Sequence, residues 1–136
     1  MKRLLLLALL AGCGEPKLDL AEGKALYDLH CASCHGLKLE GQPNWQKRLA
    51  NRKMPAPPHD ETGHTWHHTD EVLFGITKRG LVPPYAPPGY PSDMPAFAGA
   101  LSDDEIRAVL AYIKSHWKSP DVLAAREQML RNARKQ

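Results

Sequence analysis

Toward the C-terminal end of the chain, Ile106, Val109, Leu110, Ile113 and Trp117 recur at helical spacing, and Ser102-Asp103-Asp104-Glu105 ahead of them is a capping box. The pattern predicts a helix from Ser102 with one face built for packing. A partner helix is expected from Asp19 toward residue 30, because Leu20-Ala21-Glu22-Gly23-Lys24-Ala25-Leu26-Tyr27 is rich in helix formers and Asp19 can cap its start. Gly23 and Tyr27 share one face of it, so a glycine at the crossing would let two backbones approach closely while Tyr27 and Tyr112 fill the space around it. Thr69 can cap a third helix with Leu73 and Ile76 on one face, ending near Gly80. Asp121 to Arg134, carrying Leu123, Met129 and Leu130, is a further helical stretch. Six prolines between Pro83 and Pro95 remove backbone donors and fix φ repeatedly, which predicts a stiff loop, pinned to the core through Met94-Pro95-Ala96-Phe97. No alternation of strands and helices is visible, and the expected class is all-α.

The first residues add a location. Lys2 and Arg3 precede a run from Leu4 to Leu10, too short to cross a hydrocarbon core of about 30 Å, so they suggest a signal sequence rather than an anchor. Leu10-Ala11-Gly12-Cys13 resembles a bacterial lipobox, which implies cleavage before Cys13 and a lipid on its sulfur. The expected organisation is a signal peptide over 1–12, a lipidated cysteine and tether over 13–18, one domain over 19–118 and a helical extension over 119–136. The formal charge of +3 includes Lys2 and Arg3, leaving the mature chain near neutral with no nucleic-acid footprint. A single domain, monomeric and held at a membrane surface outside the cytoplasm, is expected.

The chemistry is concentrated in Cys31-Ala32-Ser33-Cys34-His35. The spacing Cys-x-x-Cys-His suits two thioether bonds to the vinyl groups of a haem, with the histidine on its iron. A redox dithiol would need the alternating pattern that is missing, and a structural zinc site would need a fourth ligand. Cys13 is the one other cysteine; with lipid on it and haem c on Cys31 and Cys34, no thiol is left for a disulfide.

Taken in order, these parts resemble class I cytochromes c from Gly23 to Trp117. Gly23 and Tyr27 match the glycine and aromatic of that family's first helix, Cys31, Cys34 and His35 its haem motif, and Asp103 to Lys114 its last helix. The resemblance implies the family's fold, with terminal helices crossing around one covalently bound haem and with long proline-rich loops. Gln42-Pro43-Asn44-Trp45 resembles the family's Gly-Pro-Asn-Leu turn, which implies that the Pro43 carbonyl accepts a hydrogen bond from His35. Gly63-His64-Thr65-Trp66 is similar to its Gly-x-x-Trp segment, which implies an indole hydrogen bond from Trp66 to a haem propionate. Met54 and Met94 each precede Pro-Ala. Met94 is the expected sixth ligand, because it lies 59 residues beyond His35, in a loop just before the last helix as in the family. Met54, only 19 residues beyond, would have to reach around the ring on a short chain.

His/Met ligation raises the potential relative to bis-histidine ligation and leaves iron no open position. The expected function is therefore a lipid-anchored electron carrier between a redox donor and acceptor, such as a respiratory complex, oxidase or reductase. Two alternatives stand beside it: a haem subunit or sensor of a larger assembly, and an enzyme whose distal methionine leaves to admit a small ligand. Lys24, Lys38, Lys47, Arg48, Arg52, Lys53, Lys78 and Arg79 could form a basic contact surface, although the near-neutral mature chain makes solvated surface charge the default account of them. His59, His64, His67 and His68 could gather a copper or zinc ion, or could simply form a polar turn around Trp66.

Overall fold

The computed structural model describes residues 18 to 135. The expected signal segment over 1–12 and Cys13 lie outside the described residues. Five α-helices follow in order: α1 (Leu20–His30), α2 (Ala32–His35), α3 (Asp70–Arg79), α4 (Asp103–Lys114) and α5 (Pro120–Ala133). A 3-10 turn at Thr65–His67 precedes α3, and no strand occurs among the described residues.

The caps fall where side-chain chemistry places them. Asp19 accepts from the Ala21 and Glu22 amides at the start of α1, Thr69 accepts from Val72 at the start of α3, and Ser102 and Glu105 close the reciprocal box at α4. Each satisfies backbone donors that a helix start leaves without partners.

The core is built where α1 crosses α4. Gly23 lies at the crossing, and a Cβ on it would overlap the Ala108 carbonyl oxygen and come within 2.7 Å of its carbon. The absent side chain is thus what sets the close approach. Tyr27, fully buried, packs against Tyr112 with ring centroids 5.4 Å apart, while Ile106, Val109 and Ile113 turn the apolar face of α4 inward and Trp117, beyond the end of the helix, is buried beside them. Residues 83–95 form no regular element, as their prolines require.

The C-terminal helix is held by Arg126 together with Val122, which packs on the central cluster, and the Ser119 amide, which donates to Glu61. Arg126, only 8% exposed, donates to the carbonyls of Trp66 (2.9 Å) and His68 (2.7 Å), pairs with Asp70 and lies over the Trp117 ring. Because one guanidinium carries five donors in a fixed fork, it ties α5 to the 3-10 turn and to the start of α3 together.

Candidate functional site

One helical turn spaces the haem-motif residues. Cys31 ends α1 and begins α2, and its carbonyl accepts from the amides of Cys34 (3.1 Å) and His35 (2.9 Å). Cys31 is half-buried against the core, Cys34 is exposed and His35 is buried. Gly36, at φ 82°, stops the turn, and its carbonyl accepts the Tyr27 hydroxyl at 2.9 Å, which fastens the motif to α1. Burial pushes the Cys31 thiol up to about 11, whereas the attacking thiol of a redox dithiol has its pKa lowered. The environment of Cys31 therefore opposes the dithiol reading.

His35 Nδ1 donates to the carbonyl of Pro57 at 2.8 Å. This corrects the assignment of that role to Pro43, and the reason lies in the intervening loop. The Gln42 amide donates to the Ala56 carbonyl (2.9 Å) and the Ala56 amide to the Gln42 side chain (3.0 Å). This clip delivers the neighbouring Pro57 carbonyl to the imidazole and leaves Pro43 exposed on a turn with Asn44 at φ 55°. With Nδ1 carrying the proton, Nε2 keeps its lone pair, the form that ligates a metal. Burial also lowers the imidazole pKa, partly opposed by the Pro57 bond, so the ring stays neutral.

Trp66, the expected propionate donor, lies in the 3-10 turn. Its indole N–H donates within the chain, to the Glu61 carbonyl at 3.3 Å, and its ring stacks on His67 at 3.6 Å. The 3-10 turn aims the donor back along the loop that precedes it.

Met94 is partly buried and packs against the central cluster, as Cys31 and Trp66 also do, and its amide donates to Ser92 Oγ at 3.0 Å. An ion pair between Lys53 and Asp93 joins the two methionine-bearing segments. Separation along the sequence is therefore a weaker discriminator than expected; the packing of Met94 on the core is the stronger one.

The four histidines do not converge. His64 stacks on Trp45, His67 on Trp66, and His68 meets His64 edge-on. Among the described residues no group of three or more His, Cys, Asp or Glu side chains is arranged to hold a metal ion. His59 stands apart, with its ring stacked on His35 at 3.9 Å and its Nδ1 2.8 Å from the Thr65 hydroxyl. Burial pushes its pKa well below the usual histidine range. The sequence reading missed this contact, as it missed the bond from the Trp117 indole to the His59 carbonyl (2.9 Å).

The donor set fits a covalently attached haem: two free thiols and a neutral, oriented imidazole on a single turn, with one face of that imidazole covered by protein.

Comparison with known proteins agrees. The family model described as Cytochrome c matches residues 20–117. Cytochrome c6 of Leptolyngbya boryana is 30% identical over 95 residues, spanning 70% of this chain and 89% of that protein. Cytochrome c-554(547) of Halothiobacillus neapolitanus is 55% identical over 29 residues, 21% of this chain and 32% of that protein. No solved structure gives a significant match.

Proposed function

This chain belongs to the cytochrome c family, and on that premise we propose that it is a lipid-anchored carrier passing single electrons between redox proteins outside the cytoplasm. As a member of the family it is an electron-transfer haem protein with one covalently bound haem c. The observation that carries the reading is the fixed imidazole of His35, buried, donating through Nδ1 to Pro57 and keeping Nε2 for iron.

Bound haem supplies a one-electron Fe(II)/Fe(III) couple. Cys31 and Cys34 would hold it by thioether bonds, and His35 and Met94 would supply the protein ligands to its iron. The chain's contribution is to hold these ligands still and keep water from them, so that little rearranges when the electron moves. With His35 and Met94 both on the iron, no position would remain for a substrate, which favours a carrier over an enzyme. The haem-loaded, reduced protein is accordingly expected to be low-spin and to resist carbon monoxide. A high-spin spectrum with ready uptake of the gas would move the assignment to ligand binding or catalysis.

The membrane link rests on Cys13 and on the fact that no helix among the described residues is long and apolar enough to cross a bilayer. Two or three acyl chains bind a membrane far more firmly than one. Cys13→Ser, expressed in the exporting host, is expected to shift the protein from the membrane fraction to the soluble one. Equal membrane retention would remove the lipid from the proposal.

Lys24, Lys53 and Lys78 are ion-paired with Asp28, Asp93 and Asp103, so partner docking does not rest on a free basic patch at these positions. The partners are proposed as a redox donor and acceptor at the same membrane surface.

A further inference from the structure

Pro57 and His59 both meet the His35 imidazole, and Pro58 between them meets Thr65. The Pro57 carbonyl accepts from His35 Nδ1, the Pro58 carbonyl lies 3.3 Å from Thr65 Oγ1, and the His59 ring covers a face of His35. The two imidazoles are 3.9 Å apart between centroids and inclined by 23°, which is close stacking.

The His59 ring is itself fixed. Thr65 is buried, with its hydroxyl 3.3 Å from the Pro58 carbonyl and 2.8 Å from His59 Nδ1. The hydrogen bond to Nδ1, whichever atom carries the proton, fixes where that nitrogen points and so the plane of the His59 ring. The backbone is held on both sides, because the His59 amide donates to Leu39 and its carbonyl accepts the Trp117 indole. Tyr27 closes a further edge, with centroids 6.3 Å apart and planes at 72°.

One hydrogen bond fixes where His35 Nδ1 points but leaves the ring able to swing about that direction. A flat partner whose own plane is locked removes the swing. An aliphatic side chain would fill the same volume without imposing a plane.

We propose that His59 is a positioning residue for the proximal ligand: keyed by Thr65, its ring sets the plane of the His35 imidazole against the haem. The proposal rests on His35 being the iron ligand and does not depend on which residue binds the opposite face.

The test uses the haem-loaded, oxidised protein and reads the four haem-methyl proton resonances together with the electron paramagnetic g values, which follow the orientation of axial ligand planes. His59→Leu and Thr65→Val are expected to change the order or spread of the methyl resonances while the optical spectrum stays low-spin. Thr65→Ser, which keeps the hydroxyl, is expected to retain the wild-type pattern. Thr65→Val leaves the His59 ring in place and unlocks it, so it remains informative if His59→Leu folds poorly. Wild-type resonances and g values in both His59→Leu and Thr65→Val would overturn the positioning role alone. An unchanged iron spectrum in His35→Ala would overturn the ligand assignment and the positioning role with it.

Discussion

Replacing Met94 by Ala is expected to abolish the weak methionine-to-iron charge-transfer band at the red end of the oxidised spectrum and to lower the reduction potential by on the order of 0.1 V or more. A thioether is a soft, weak donor that favours ferrous iron, so its replacement by water or by a nitrogen ligand shifts the balance toward ferric. Met94 is the methionine that packs against the central cluster, and its amide is held by Ser92; this restrains the loop on which the sulfur is carried. The same measurement on Met54→Ala is the comparison that gives the result meaning. Lys53 and Asp93 are ion-paired, so the two methionine segments are neighbours and either could be argued from proximity. Loss of the band only in Met94→Ala establishes the ligand. Loss only in Met54→Ala would transfer the role to the other Met-Pro-Ala and would require the 83–95 loop to serve the site only as a wall.

Gly23→Ala is expected to destabilise the haem-loaded protein by about 2 kcal/mol, lowering its melting temperature by roughly 10 °C. Two effects oppose each other at this position. Alanine favours a helix interior over glycine by about 1 kcal/mol, but here its methyl would meet the carbonyl carbon and oxygen of Ala108. These are backbone atoms of a helix and have no rotamer to retreat into, so α4 as a whole must move away. Displacing α4 loosens the packing around Tyr27 and Tyr112, and a valine should do more damage than an alanine. Gly99→Ala serves as the control, since nothing lies within 4 Å of a Cβ built there. If the two substitutions proved equally mild in thermal or denaturant unfolding, the crossing would not be set by the missing side chain.

The helices were legible because their ends are written in local chemistry. Asp19, Thr69 and Ser102 can each be assigned a cap from a few neighbouring residues, and all three hold in the structure. Gly23 was legible for a related reason: a glycine inside an otherwise good helix needs an explanation, and a close crossing supplies one. The surroundings of His35 were less so. A carbonyl acceptor is common to every residue, so choosing Pro57 over Pro43 depends on how the Gln42 to Ala56 clip folds the loop, and no side-chain type announces it. A motif-like turn at 42–45 therefore drew the role to the wrong proline. The direction of the Trp66 donor depends on the loop in the same way, since the 3-10 turn aims it at Glu61. His59 was hidden by its company. Grouping it with His64, His67 and His68 suggested shared chemistry, whereas only His59 closely follows Pro57, whose carbonyl meets the His35 imidazole. Its distinguishing signal was that adjacency, together with a threonine six residues on.

The crossing of α1 with α4 also imposes an order of events on the chain. Gly23 precedes Ala108 by 85 residues, so the helix ending at the haem cysteines emerges early and its packing partner late. Until α4 arrives, Tyr27 has no Tyr112 to cover it, and an isolated helix of 11 residues is marginal in water. The segment bearing Cys31 and Cys34 therefore passes through a stage in which it is flexible and open to the machinery that must reach both sulfurs. Closing so long a loop costs little more than closing one half its length, but it sets the pace of folding. A substitution that speeds α1 to α4 docking, however stabilising in the finished protein, would shorten the interval in which the cofactor can be attached.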